Sequence, residues 1–102
     1  MTRDLVKMAK EVTMKSTPEE AISATLRAYI EQKVSHCETN IRRFERKYGM
    51  SYEEFDRRIQ DIEFSEKLGK EKGIINVEND YFDWGGFVTE LSYFNERLRD
   101  LD

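Results

Sequence analysis

The feature that most constrains the fold is a run of 30 residues, 19–48, that contains neither glycine nor proline. A T-x-x-E capping box that starts at Thr17, with proline at the first helical position, is typical of a helix start. Gly49 follows the run, where a helix commonly ends in a left-handed residue. We therefore expect a single helix over 18–48, about 46 Å long at 1.5 Å per residue.

Apolar side chains recur along this helix at steps of three and four residues, so they share one face. A compact chain of about 100 residues has a radius of gyration of only about 13 Å, too small to surround such a helix. The face must therefore meet another helix lengthwise, from the same chain or from a second copy. This predicts an elongated all-α protein in which the long helix forms a helical hairpin or a coiled-coil-like dimer, and we expect a homodimer. The expected dimer seam comprises Ile22, Leu26, Ile30, Val34, Cys37, Ile41, Phe44 and Tyr48.

Three further helices are expected. Residues 3–14 show one apolar face with helical spacing. Ser51 begins a second capping box and a short helix over 51–62. The last helix, over 84–101, is amphipathic, with apolar residues from Trp84 onward at helical spacing.

The segment between the short helix and the last one is polar and contains two glycines, so we expect residues 63–83 to form a flexible link. Within it, residues 74–77 read IINV, a β-prone run too short to establish a sheet. The chain is long enough for one domain, 1–102, in which 3–62 would be the helical oligomerisation region.

Charge is distributed unevenly along the 102 residues. Residues 1–60 carry 12 Lys and Arg against 10 Asp and Glu, whereas residues 61–102 carry 5 against 11. An acidic half that also contains aromatic residues would suit a basic partner better than a phosphate backbone. The alternative is an acidic helix face that only contacts solvent.

The stretch NDYFDWGG at 79–86 places three aromatic residues between aspartates and ahead of a glycine pair. Either aspartate could cap the terminal helix. The glycines indicate a hinge or a close approach of another group to the backbone. Trp84 also aligns with the apolar face of the terminal helix, which makes Tyr81 and Phe82 the better candidates for contact with another molecule. The expected partner-binding residues are Asp80, Tyr81, Phe82, Asp83 and Trp84.

Catalytic and metal-binding patterns are missing from the sequence. The single histidine, His36, adjoins the single cysteine, Cys37, and neighbouring helical residues point about 100° apart, so they cannot act as a pair. We expect no enzyme, no catalytic residue, no metal and no cofactor. A basic cluster could contact nucleic acid, but interspersed glutamates make this a less favoured hypothesis than a solvated helix face. Its members are Arg42, Arg43, Arg46 and Lys47.

Membrane and secretion signals are likewise not expected. The sequence has no apolar run of about 18 residues, and the segment MTRDLVKMAK lacks the apolar core of a signal peptide. A single cysteine cannot form an intrachain disulfide, so a reducing cytoplasm is the simplest expectation.

Two stretches of the sequence resemble known proteins. The stretch at 5–33 resembles the two-helix part of ribbon-helix-helix antitoxins of the VapB type. It reads LVKMAKEVTMKSTPEEAISATLRAYIEQK, and the second helix of those proteins contains a run similar to ATLRAYI. Residues 44–59, FERKYGMSYEEFDRRI, followed by DYFDW and a terminal helix, resemble prokaryotic antitoxin-like small proteins of the TumA group, which are encoded beside a ribonuclease-like toxin.

The resemblance implies that the acidic C-terminal half neutralises a basic ribonuclease-type toxin, as an arm that becomes ordered on binding. DNA binding does not carry over, because ribbon-helix-helix proteins read DNA with an N-terminal strand and this chain enters its first helix directly after MTRD. The alternative is a structural helical homo-oligomer with no toxin partner, in which the terminal helix folds back on the long helix.

Overall fold

The computed structural model describes residues 17–102, which form four α-helices and no strand. The all-α class is therefore confirmed for the described residues. The helix predicted over 3–14 lies outside them. In chain order the helices are α1 (Pro18–Tyr48), α2 (Tyr52–Arg58), α3 (Ile62–Lys72) and α4 (Ile74–Leu101).

The long helix α1 has the bounds that its capping signals predict. The side-chain oxygen of Thr17 accepts a hydrogen bond from the backbone N–H of Glu20 at 3.1 Å. This N–H belongs to the first turn, where backbone donors have no carbonyl partner within the helix. Gly49 adopts the left-handed conformation with φ of 70° and donates its N–H to the carbonyl of Glu45 at 2.7 Å.

α1 and α4 pack side by side and antiparallel, which is the hairpin arrangement. Near one end Arg27 pairs with Asp102 at 2.5 Å, and near the other Lys47 pairs with Asp80 at 2.5 Å. The molecule measures 60 × 23 × 20 Å, and its radius of gyration of 19.3 Å is well above the roughly 13 Å of a compact chain of this length. The predicted elongation is confirmed.

The predicted seam on α1 is divided between two environments. Ile30, Cys37, Phe44 and Tyr48 are buried, and Val34 and Ile41 are half-buried. Ile22 and Leu26, at the start of the helix, remain 38% and 46% exposed. Much of the seam is therefore used within the chain, and the pairing of two chains through it stays a prediction.

The hydrophobic core lies at the end of the hairpin where α2 and α3 pack against α1 and α4. We call this end, 41–88, the compact half, and the other end, 18–33 with 89–101, the open half. In the compact half Trp84 is fully buried among four other aromatic rings, which contribute about 0.5–1.5 kcal/mol per pair beyond area burial. The buried core residues are Phe44, Tyr48, Phe55, Leu68, Val77 and Trp84.

The segment predicted as a flexible link, 63–83, is helical, so that prediction is wrong. Asp61 begins α3 by accepting hydrogen bonds from the backbone N–H groups of Glu63 and Phe64 at 2.9 and 3.4 Å. Gly73, with φ of 88°, then makes the turn into α4, which starts ten residues before the predicted position of 84.

α4 extends through the IINV segment because its apolar face continues there. Val77, Tyr81 and Trp84 are spaced at four and three residues, so one helical face carries all three into the core. Burial against other helices outweighs the β propensity of an isolated apolar run. Asp80 and Asp83 are consequently interior residues of α4, and the prediction that either of them caps the terminal helix is wrong.

The short helix α2 ends at Arg58, earlier than the predicted 62. Its cap is correct, since the Ser51 side chain accepts from the Glu54 N–H at 3.2 Å. A turn follows, in which the Ser65 hydroxyl donates to the carbonyl of Ile59 at 2.5 Å. That bond joins the end of α2 to the first turn of α3.

Candidate functional site

Trp84, one of the expected partner-binding residues, is the centre of the core. Its ring centroid lies 5.2 Å from that of Phe55, 5.4 Å from that of Tyr52 and 5.6 Å from that of Phe44. Its indole N–H has no hydrogen-bond partner in the structure. A fully buried side chain cannot contact another molecule without unfolding, so Trp84 is not a binding residue of the folded chain.

Asp80 is occupied by contacts within the chain. Its carboxylate accepts from the Lys47 ammonium at 2.5 Å and from the Tyr48 hydroxyl at 2.6 Å. Burial acts to raise the pKa of Asp80, but these two hydrogen bonds and the charges of Lys47 and Arg43 outweigh it and hold the pKa below its ordinary value. The acid therefore joins α4 to α1.

Tyr81 is likewise turned inward and half-buried. Its hydroxyl donates to the carboxylate of Asp56 on α2, and its ring stacks on Tyr52 with centroids 6.0 Å apart. The hydrogen bond to Asp56, with burial and the Asp56 charge, raises the pKa of Tyr81 to about 12. Tyr81 thus holds α2 against α4.

Phe82 and Asp83 are the expected binding residues that face solvent. Phe82 is 81% exposed, the highest value among the exposed large apolar side chains of the described residues. It lies about 200° around α4 from Trp84, and the exposed Ile75 is two turns earlier on the same face. We call Ile75, Glu78, Phe82 and Asp83 the α4 outer surface.

A groove between α3 and α4 adjoins this surface, with Glu78 common to both. Its volume is about 290 Å³. Two of its isoleucines, Ile62 and Ile74, are largely exposed, at 73% and 65%. Contiguous exposed apolar groups of this kind mark interaction sites. The groove is lined mainly by Ile59, Ile62, Gly69, Ile74, Val77 and Tyr81.

Ile62 and Ile74 were not predicted as site residues. Ile62 lies about 120° around α3 from the buried Leu68, so it is out of phase with the core face of that helix. Ile74 is in phase with Val77 and Tyr81, but it is exposed because it stands at the first residue of α4. An apolar residue out of phase with the core face of its helix is a recognisable signal in the sequence. This signal can be recognised only after the helix itself has been assigned, and the sequence analysis assigned residues 63–83 to a flexible link instead.

The charged residues that line the groove are acidic. The charged side chains that line the groove are Glu66 and Glu78. From residue 74 to residue 96 the sequence contains five acids and no Lys or Arg. Apolar side chains framed by carboxylates complement a surface that combines apolar and basic groups.

His36 and Cys37 are separated by the packing of α1. Cys37 is buried and its thiol lies 3.7 Å from a carboxylate oxygen of Glu90, and burial followed by the nearby Glu90 charge raises the thiol pKa. His36 is exposed and makes an edge contact with the ring of Phe87 at 5.8 Å. A thiol held in its neutral form is a poor nucleophile.

Among residues 17–102, no three His, Cys, Asp or Glu side chains are grouped so as to hold a metal ion. In the same part of the chain, no helix combines the length and the apolar content that crossing a bilayer requires.

Comparison with known proteins identifies the family of this chain. No curated protein and no solved structure matches the chain. A family model described as "Uncharacterized protein MJ0235 family" matches residues 1–102, the full length of the sequence. The chain therefore belongs to the MJ0235 family.

Proposed function

We propose that this chain is a non-enzymatic binding protein of the antitoxin type, which takes a basic partner on its acidic α4 outer surface and the adjoining groove. The partner class is a ribonuclease-type toxin whose substrate-binding face is basic. The observation that carries the proposal is the 81% exposure of Phe82 beside an apolar groove whose charged residues are Glu66 and Glu78.

The chemistry of the surface supports recognition of a protein. Phe82 is a large, rigid side chain of the type that anchors interfaces when it enters a pocket on the partner. The groove in turn can receive an apolar side chain from the partner. Glu66, Glu78 and Asp83 would pair with basic groups around these anchors and steer the encounter.

The mode of binding differs from the ordering arm that the sequence predicted. Residues 74–84 are already helical and packed, so binding would not have to order them. A preformed surface avoids the several kcal/mol that coupled folding costs. Fewer aromatic anchors are then needed for binding. This is consistent with the packing of Trp84 in the core and of Tyr81 against it, which leaves Phe82 as the exposed anchor.

Co-purification with the product of the adjacent gene tests the proposal. The wild-type chain should form a stable complex with that product, and the complex should weaken as salt rises, since exposed acidic and basic groups are screened. Replacing Ile75 and Phe82 together by serine should abolish the complex while leaving the helical content unchanged, because both side chains are exposed.

Tyr93→Ser is the matched control for this experiment. Tyr93 lies on the same side of α4 as Phe82, eleven residues later, and is 52% exposed. Its variant should bind the partner with the same affinity per chain as the wild type does. A complex that survives the double substitution contradicts the assigned surface, and no complex with the adjacent gene product contradicts the antitoxin role.

A structural homo-oligomer is the second candidate function. The observation that favours it is the exposure of Ile22 and Leu26 at the open half, away from the α4 outer surface. In this case the wild-type chain would self-associate without binding the product of the adjacent gene, and the Ile75 and Phe82 substitutions would leave the assembly unchanged.

A further inference from the structure

The open half of the hairpin is covered less completely than the compact half. α2 and α3 pack at the other end, around Tyr48 and Trp84. Within the described residues, the first turns of α1 and the last turns of α4 face each other as two helices. Two helices bury one stripe each and leave their flanks to solvent, whereas a stable helical core usually needs three or four helices.

One flank of this half carries exposed apolar side chains from both helices. On α1, Ile22, Leu26 and Tyr29 follow each other at four and three residues, so they form a single stripe. Tyr29 shares a depression of about 490 Å³ with Tyr93 and Phe94 of α4. Tyr29 is 53% exposed. We call this surface the open-half flank; it comprises Ile22, Leu26, Tyr29, Lys33, Glu90, Tyr93 and Phe94.

Charges around this flank are of both signs. Lys33 lies 5.4 Å from the centre of the Tyr29 ring and lines the same depression as Glu90. Arg97 lies 5.2 Å from the centre of the Tyr93 ring and pairs with Asp100 at 3.1 Å. Two copies of such a surface can place opposite charges together, whereas two copies of the acidic α4 outer surface would repel.

We propose that the open-half flank is the docking surface for a second copy of this chain. Two hairpins pair through it about a two-fold axis, and their four helical segments form a bundle with Leu26 and Tyr29 at its centre. A two-fold interface uses the same surface on both copies, as the mixed charges of this flank allow. The compact halves stay outside the bundle, so the dimer presents two copies of the α4 outer surface and is bivalent. The pairing itself does not depend on the proposed partner.

Sedimentation equilibrium of the full chain tests the dimer. At about 100 μM, where interfaces of standard size are occupied, the wild type should have twice the 12.2 kDa mass of one chain. Leu26→Glu should raise the dissociation constant by more than about tenfold, because it places a charge at the centre of the interface. Tyr29→Ala, a milder change at a 53% exposed side chain, should weaken the dimer in the same direction.

Phe82→Glu is the matched control, since it makes the same kind of change at an exposed apolar residue of the compact half. It should leave the dissociation constant unchanged. Circular dichroism of each variant establishes that the helices persist. A wild-type mass of one chain overturns the proposal, as does a dimer that neither Leu26→Glu nor Tyr29→Ala weakens, or one that Phe82→Glu weakens equally.

Discussion

Asp80 is one of the residues that join the acidic half of the chain to the basic half. Lys47 belongs to the cluster RRFERK, which was considered for nucleic-acid contact, and its ammonium is committed to Asp80. Arg43 of the same cluster lies with its guanidinium 4.8 Å from the centre of the Phe44 ring. The uneven charge that is visible in the sequence is thus partly used to hold α1 and α4 together.

Replacement of Asp80 by asparagine should lower the free energy of unfolding by about 1–2 kcal/mol at pH 7, since Lys47 is partly exposed and the pair is partly screened. The folded-state pKa of Asp80 is below 3.8, so its contribution is present above that pH and is lost as the pH falls through the folded value. Urea unfolding should show wild type and variant converging in acid. Asp83→Asn, at an exposed acid three residues later, should change stability little at either pH.

The glycine pair after Trp84 has two different environments. A Cβ on Gly85 would lie 2.6 Å from the hydroxyl oxygen of Tyr52, whereas a Cβ on Gly86 meets nothing within 4 Å. The close approach expected from the sequence is therefore confirmed at Gly85. No contact requires glycine at position 86.

Substitution of the two glycines by alanine should have opposite effects. Gly85→Ala should lower the free energy of unfolding by about 1 kcal/mol, because moving Tyr52 off the Trp84 ring costs more than the helix propensity gained. Gly86→Ala should raise it by about 0.5–1 kcal/mol, because alanine is the better helix former at a site with free space. Thermal melts of the two variants measure this, and shifts of the same sign would contradict the packing around Gly85.

At the scale of the helices, the signals that predicted α1 were caps and an unbroken apolar period. α3 and the start of α4 were missed because Gly69 and Gly73 lie close together and the following IINV run favours strands. Gly69 lies inside α3, where tertiary packing outweighs a propensity cost of about 1 kcal/mol. The spacing of Val77, Tyr81 and Trp84 is itself helical, so this part of α4 was predictable from the sequence.

Hydrogen exchange distinguishes a packed helix from a flexible link in this segment. Amides of 77–84 should be protected to an extent similar to those of the α1 segment 37–48, because both lie against the same core. The measurement uses the full chain without any partner. Exchange of 77–84 at the rate of an unfolded peptide would contradict the helical assignment and favour an arm that orders on binding.

At the scale of the whole molecule, the elongated shape was predictable because a helix of 31 residues is longer than a compact chain can surround. The binding surface was predictable only in part. The last helix starts at residue 74 and not at 84, so Asp80 and Tyr81 lie on helical turns that face α1 and α2. Both residues therefore make contacts within the chain. Phe82 and Asp83 lie on the other side of those turns and are exposed to solvent, where they can contact a partner.

The central claim is that the acidic aromatic segment packs against the folded core and leaves Phe82 as the most exposed of its three aromatic side chains. Trp84 is the single tryptophan, so its fluorescence in the free protein reports on this segment directly. A fully buried indole predicts blue-shifted emission and little quenching by acrylamide, with both changing together on unfolding. Emission and quenching like those of free tryptophan, in a chain that is otherwise helical by circular dichroism, would contradict the account.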